Sequence, residues 1–161
     1  MKTDLYDHIP LVYVIGSDER GPVKIGITAR LPERMRSLQV ASAYHLKVFG
    51  VRFASSRPES GKWEVHAMFR RGAQRLENAV HRKLRELGLS MHGEWFDLGA
   101  ADALAVIEKV GKTVGPRAVS LTDLLGVALS GRADPAMEKM HRRLMHEGLA
   151  INGYILQQNG T

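Results

Sequence analysis

Leu11-Val12-Tyr13-Val14-Ile15-Gly16, Ser17-Asp18-Glu19-Arg20-Gly21-Pro22 and Val23-Lys24-Ile25-Gly26-Ile27-Thr28 follow one another without a break, and their reading decides the fold. Two short runs rich in β-branched residues flank a polar segment that ends in Gly and Pro. That is the pattern of two strands joined as a hairpin. A helix follows at once. Pro32 suits its first turn, where a missing N–H costs nothing. Leu31, Met35 and Leu38 recur at i, i+4 and i+7 and form one buried stripe. Arg34, three residues after Leu31, edges that stripe and points back toward the sheet, whereas Arg36 falls on the far side.

Outward from this stretch, residues 1–10 form a polar lead-in. A third apolar run over 46–53 alternates imperfectly and reads as a strand, which gives a three-stranded antiparallel sheet flanked by helices in an α/β (α+β) domain. Residues 54–62 are rich in Ser, Pro and Gly and read as a loop. Trp63, Val65, Ala67 and Phe69 then alternate with polar neighbours. Residues 55–72 are therefore either an insertion that contacts substrate or a β-ribbon that covers a sheet edge. A second helix over 73–87 ends at Gly88. Leu76, Val80, Leu84 and Leu87 make its buried stripe, with Glu77 and His81 one turn apart beside it. Glu94-Trp95-Phe96 lies in a short final strand whose aromatics close the core, and 100–110 is a third helix.

These elements divide the chain into a domain at 11–111, a linker at 112–118 and a helical extension at 119–161. Within the extension, Ser120-Leu121-Thr122-Asp123 starts one helix and Asp134-Pro135 starts another. The two form either a helix-turn-helix or an αα-hairpin packed on the domain or on a second copy of the chain. Asn152-Gly153 is a hairpin turn signal.

Composition narrows the function classes. The chain has 161 residues, 44% of them hydrophobic, which suffices for one domain with a real core. Cysteine is absent, so disulfides and thiolate chemistry are excluded. No apolar run reaches the roughly 20 residues of a membrane span, and the N-terminus lacks the apolar stretch of a signal peptide. A soluble, cytoplasmic protein is expected. Net charge is +6 and the pI about 9.8, which favours polyanionic partners. The cations concentrate in two places, Lys24, Arg30, Arg34 and Arg36, and then Arg70, Arg71, Arg75, Arg82, Lys83 and Arg85.

Val12-Tyr13-Val14, Lys24-Ile25-Gly26 and Arg34, then Leu38-Gln39, Glu77 and His81, and Glu94-Trp95-Phe96, taken in this order, resemble the GIY-YIG nuclease superfamily. The likeness is to a phage and bacterial branch whose second motif reads Lys-Ile-Gly-Ile-Thr, and it spans roughly residues 10–98. The resemblance implies a divalent-metal-dependent endonuclease that hydrolyses phosphodiester bonds in DNA. The alternative on the same scaffold is a catalytically weak nucleic-acid-binding module. The preference for DNA over RNA rests on the resemblance alone.

Phosphodiester hydrolysis needs a deprotonated water, neutralisation of the phosphorane and stabilisation of the leaving oxygen. The resemblance assigns the first task to Tyr13 or to Lys24, which stands where most members have a second tyrosine. A phenol titrates near 10, so Tyr13 must be depressed by Lys24, Arg34 or a metal to act as a base. Arg34 neutralises phosphate, Glu77 holds Mg2+ or Mn2+, and His81 orients water or contacts phosphate. Gly26 lets the backbone approach closely. Arg30, Arg36, Arg70, Arg71 and Arg75 are the candidate nucleic-acid contacts. Many members carry an asparagine after the metal glutamate. Here only Asn78 is available, and it faces the wrong way. The remaining partner expectations are no membrane and a homodimer through the C-terminal helices.

Overall fold

The computed structural model describes residues 9–55, 71–114, 117–130 and 138–159. Strands β1 (Leu11–Gly16) and β2 (Val23–Thr28) form the expected hairpin, followed by α1 (Leu31–Val40), β3 (Lys47–Ser55) and α2 (Arg71–Glu86). Then come β4 (Trp95–Phe96), α3 (Ala100–Val114), β5 (Arg117–Val119), α4 (Leu121–Ser130) and α5 (Glu138–Asn159). Among the described residues the sheet is antiparallel and has five strands in the order β4-β2-β1-β3-β5, not three. The two additions are the short edge strands β4 and β5. Three residues leave no readable period, so β5 shows only when it pairs with β3, Phe53 opposite Val119. Of the residues expected as a linker, 112–114 lie in α3 and 117–118 in β5, while 115 and 116 lie outside the described residues.

Every residue of β1 is buried, because the strand is central and both sheet faces are covered. This explains a continuous apolar run where a half-exposed strand alternates. Leu11, Tyr13 and Ile15 face a core built with Leu31 and Met35 of α1 and Ile151 of α5. Val12, Val14, Val23 and Ile25 face a second core with Leu76, Val80 and Leu84 of α2 and Ala103 and Ile107 of α3. Burial of each large side chain contributes about 1.5–3 kcal/mol. The imperfect alternation of β3 has a local cause. The β1–β3 register shifts between Val14 and Ile15, opposite Gly50 and Val48, so Phe49 is an extra residue. Phe49 packs on the α2–α3 side, and a Cβ on Gly50 would press against Leu104 of α3 at 2.9 Å.

Helix α2 ends as its sequence predicts. Gly88 has φ +73°, Leu89 N–H donates to Leu84 C=O and Gly88 N–H to Arg85 C=O, which is a Schellman stop. The C-terminal helices pack on the domain: Met145, Ile151, Tyr154 and Ile155 of α5 close the core on the Tyr13 side of the sheet. The turn expected at Asn152-Gly153 is overturned, since both residues lie inside α5. Ile9, placed in the polar lead-in, is buried in the same core. The alternating stretch at 63–69, Arg70 and the Asp134-Pro135 helix start lie outside the described residues.

Candidate active site

The site forms where β2 runs out of strand partners. Among the described residues β4 pairs with Val23 and Lys24 only, and no strand pairs with the outer edge of β2 from Ile25 onward. A buried strand edge needs its polar groups satisfied. Ile25 N–H donates to the backbone carbonyl of Glu94 at 3.1 Å. His81 Nε2 lies 2.8 Å from the Ile25 carbonyl. A carbonyl only accepts, so Nε2 carries the proton in this contact. The Ile27 N–H lies near enough to the Glu77 carboxylate to favour its charged form. Glu77 and His81 are thus not a loose surface pair on α2. They finish a strand edge, with His81 Nδ1 3.9 Å from Glu77 Oε1. Glu77 is 6% exposed.

On the adjoining sheet face, Tyr13 and Gly26 sit opposite each other across the hairpin. A Cβ on Gly26 would overlap the Tyr13 hydroxyl and lie 3.1 Å from Glu94 Oε2. The missing side chain therefore makes room for the phenol to reach across β2, a different reason from the backbone approach read in the sequence. Arg34 comes in from α1, as its place beside the buried stripe predicts, and its Nε donates to the Tyr13 hydroxyl at 3.3 Å. Lys24 is no ordinary solvent-facing lysine. Its side chain is 13% exposed and Nζ lies 3.0 Å from Glu94 Oε2.

Burial and charge set the protonation states. Burial foremost, and then the neighbouring Glu94 carboxylate, raise Glu77 to about 7, against the pull of Lys24, the Ile27 N–H and Arg34. Burial also raises Tyr13 and outweighs the Arg34 hydrogen bond, so the expectation of a depressed phenol is reversed. Arg34, raised by its hydrogen bond to Tyr13, stays a cation.

Tyr13, Lys24, Gly26, Arg34, Glu77 and His81 are brought together at one end of the sheet. The candidate nucleic-acid contacts are not. Arg30 is exposed beside the start of α1, and Arg36 is exposed and 3.8 Å from Glu33. Arg71 and Arg75 lie exposed on α2, away from the core. Asn78 is turned to solvent and accepts a hydrogen bond from Gln74. Glu94 is the residue that sequence reasoning undervalued. Its signal was positional: it sits between the Gly93 turn and the strand that closes against β2.

The model of the T5orf172 domain matches residues 11–111, from the first residue of β1 nearly to the end of α3, and takes in all of these side chains. The chain belongs to the T5orf172 domain family. This is a phage-associated domain found in a nuclease-like context, so nucleic acid is the partner class that the family suggests. No curated protein and no solved structure matches the chain. The T5orf172 match stops before β5, α4 and α5, yet these elements complete the sheet edge and the Tyr13-side core. Among the described residues no helix is long and apolar enough to cross a membrane.

Proposed function

We propose that this T5orf172 protein is a divalent-metal-dependent endonuclease of the GIY-YIG type that hydrolyses phosphodiester bonds in DNA. The observation that carries the reading is the convergence of Tyr13, Lys24, Arg34, Glu77 and His81 on one open strand edge. They come from β1, β2, α1 and α2, four elements that are separate in the sequence.

Among the described residues no three His, Asp or Glu side chains gather into a cation cage. One buried carboxylate still fits Mg2+ or Mn2+, which are commonly held by one or two carboxylates with water and substrate phosphate filling the rest. Glu77 has the right character, because a carboxylate pushed to about 7 by burial and by Glu94 gains most from a cation. When bound, the cation supplies Lewis-acid polarisation of the scissile phosphate and a more acidic water.

Arg34 donates to a non-bridging phosphate oxygen as negative charge builds there. Water forms the new P–O bond as the bond to the leaving oxygen breaks; the water proton passes to Tyr13 or Lys24 after that group has released its own proton to solvent, and the leaving oxygen takes a proton from solvent. Neither base is ready in the resting arrangement. Tyr13 is held as a phenol by burial, and Lys24 Nζ is engaged by Glu94 Oε2 at 3.0 Å. Substrate must therefore rearrange this pair. His81, with Nε2–H spent on Ile25, offers only Nδ1, which faces Glu77. It acts as a positioning residue for that carboxylate. The upward shift of Tyr13 and the Lys24–Glu94 pairing also favour the second reading, a nucleic-acid-binding module without chemistry.

Incubation of the protein with supercoiled plasmid, in Mg2+ or Mn2+ and in EDTA, beside Glu77→Gln, separates the two. Metal-dependent nicking that the variant lacks supports the nuclease. Retained DNA binding with no nicking at all leaves the binding module.

A further inference from the structure

The geometry points to a second phosphate-backbone docking surface on the outer face of α2 and the adjoining α3, separate from the cleavage edge. It deepens the proposed function and rests on it.

Arg71, Arg75, Arg82 and Arg85 are all exposed on α2. At 3.6 residues per turn the first three fall within about 40° of one another, roughly 120–160° around the helix from Glu77. The stripe from Arg71 to Arg82 is about 16.5 Å long at 1.5 Å per residue, with Arg85 displaced about 60° from Arg82 toward the Glu77 side. Beside it lies a groove of ≈ 460 Å³ between α2 and α3, lined by Arg82, Lys83 and Lys109 over Leu87, Val106 and Val110. Glu86 is the one acidic residue lining it.

None of these six cations forms a side-chain ion pair or hydrogen bond among the described residues. Lys24, Arg34 and Arg52, in contrast, are each held by a partner. An unpaired row of arginines along one helix is costly by mutual repulsion unless a polyanion neutralises it. Its length matches an extended backbone rather than a single small anion. The row faces away from Glu77, so it meets nucleic acid outside the segment at the cleavage edge. A groove with an apolar floor and a cationic rim also suits an acidic helical peptide. The arginine row continues beyond the groove to Arg71, which favours the nucleic acid.

The test is fluorescence anisotropy of a labelled DNA duplex across a salt series. It compares wild type, Arg75→Ala/Arg82→Ala/Lys109→Ala and the matching Arg75→Lys/Arg82→Lys/Lys109→Arg variant. Each lost phosphate contact lowers the slope of log affinity against log salt by about 0.9, so the triple alanine variant should lose about 2.7. The conservative variant should keep the wild-type slope. Wild-type binding with an unchanged slope in the alanine variant overturns the second surface alone and leaves the groove to a peptide. A wild type that binds no duplex at low salt overturns the proposed function and this inference together. Unchanged circular dichroism of the alanine variant assigns its loss to contact rather than folding.

Discussion

The cations at the β2 edge and those on the outer face of α2 carry the same charge and do different things. Lys24 is shielded and clamped by Glu94, and Arg34 is tied to a buried phenol. Arg75 and Arg82 stand in solvent with no partner among the described residues. A held charge has a fixed address and is expensive to disturb, because its partner is left exposed to a low-dielectric surrounding. A free charge is cheap to lose and contributes only through the field it adds. Placement at a reacting phosphate requires the first kind. Attraction of a backbone requires the second.

If that distinction is right, the largest effect belongs to the edge. Arg34→Ala should lower cleavage by about 10²–10³-fold, the scale of one lost charge-stabilising donor, with duplex binding nearly unchanged. A variant that loses binding instead would make the edge one more basic patch.

Next comes pH. In metal-free buffer the folded Glu77 binds its proton more tightly than the unfolded chain, whose carboxyl titrates near 4.5. Stability from this group is therefore greatest below about 4.5, declines as pH rises, and levels off above about 7. The decline is on the order of 3 kcal/mol. Denaturant midpoints at pH 5 and pH 8 should show it in wild type and not in Glu77→Gln. Added Mg2+ should recover part of it at pH 8 in wild type only. Equal pH dependence in both proteins would mean that Glu77 is not the buried acid.

Gly26→Ala should destabilise by about 1–3 kcal/mol, the cost of overpacking, since its methyl competes with the Tyr13 hydroxyl. Chemical denaturation measures this, and a neutral result would mean that the phenol has room to move. The smallest effect is at the free cations. Arg75→Ala should change stability by under about 0.5 kcal/mol while lowering the salt slope of DNA binding by about 0.9. A larger loss of stability would show that Arg75 is not free.

Much of the fold was readable because its signals are local. The hairpin ends, the Pro32 start of α1, the Gly88 stop of α2 and the stripes on both helices each depend on residues within about two turns of one another. Arg34 was readable for the same reason: its position three residues after Leu31 fixes its direction once the stripe is known. What was missed depends on pairing at long range. β5 is too short to carry a period, and the bulge at Phe49 exists only against β1. The hairpin signal at Asn152-Gly153 lost to the helix that closes the core with Ile151, Tyr154 and Ile155.

The order of residues is enough to establish the kinds of groups available and the faces of the helices that carry them, because helix and strand periods translate spacing directly into direction. It cannot say that Glu94 meets Lys24, that burial keeps Tyr13 protonated, or that Glu77 and His81 complete the edge of β2. Those contacts join segments far apart in the chain. Their protonation depends on how much water the assembled fold excludes, and that quantity does not exist until the sheet, α1, α2 and α5 have packed together.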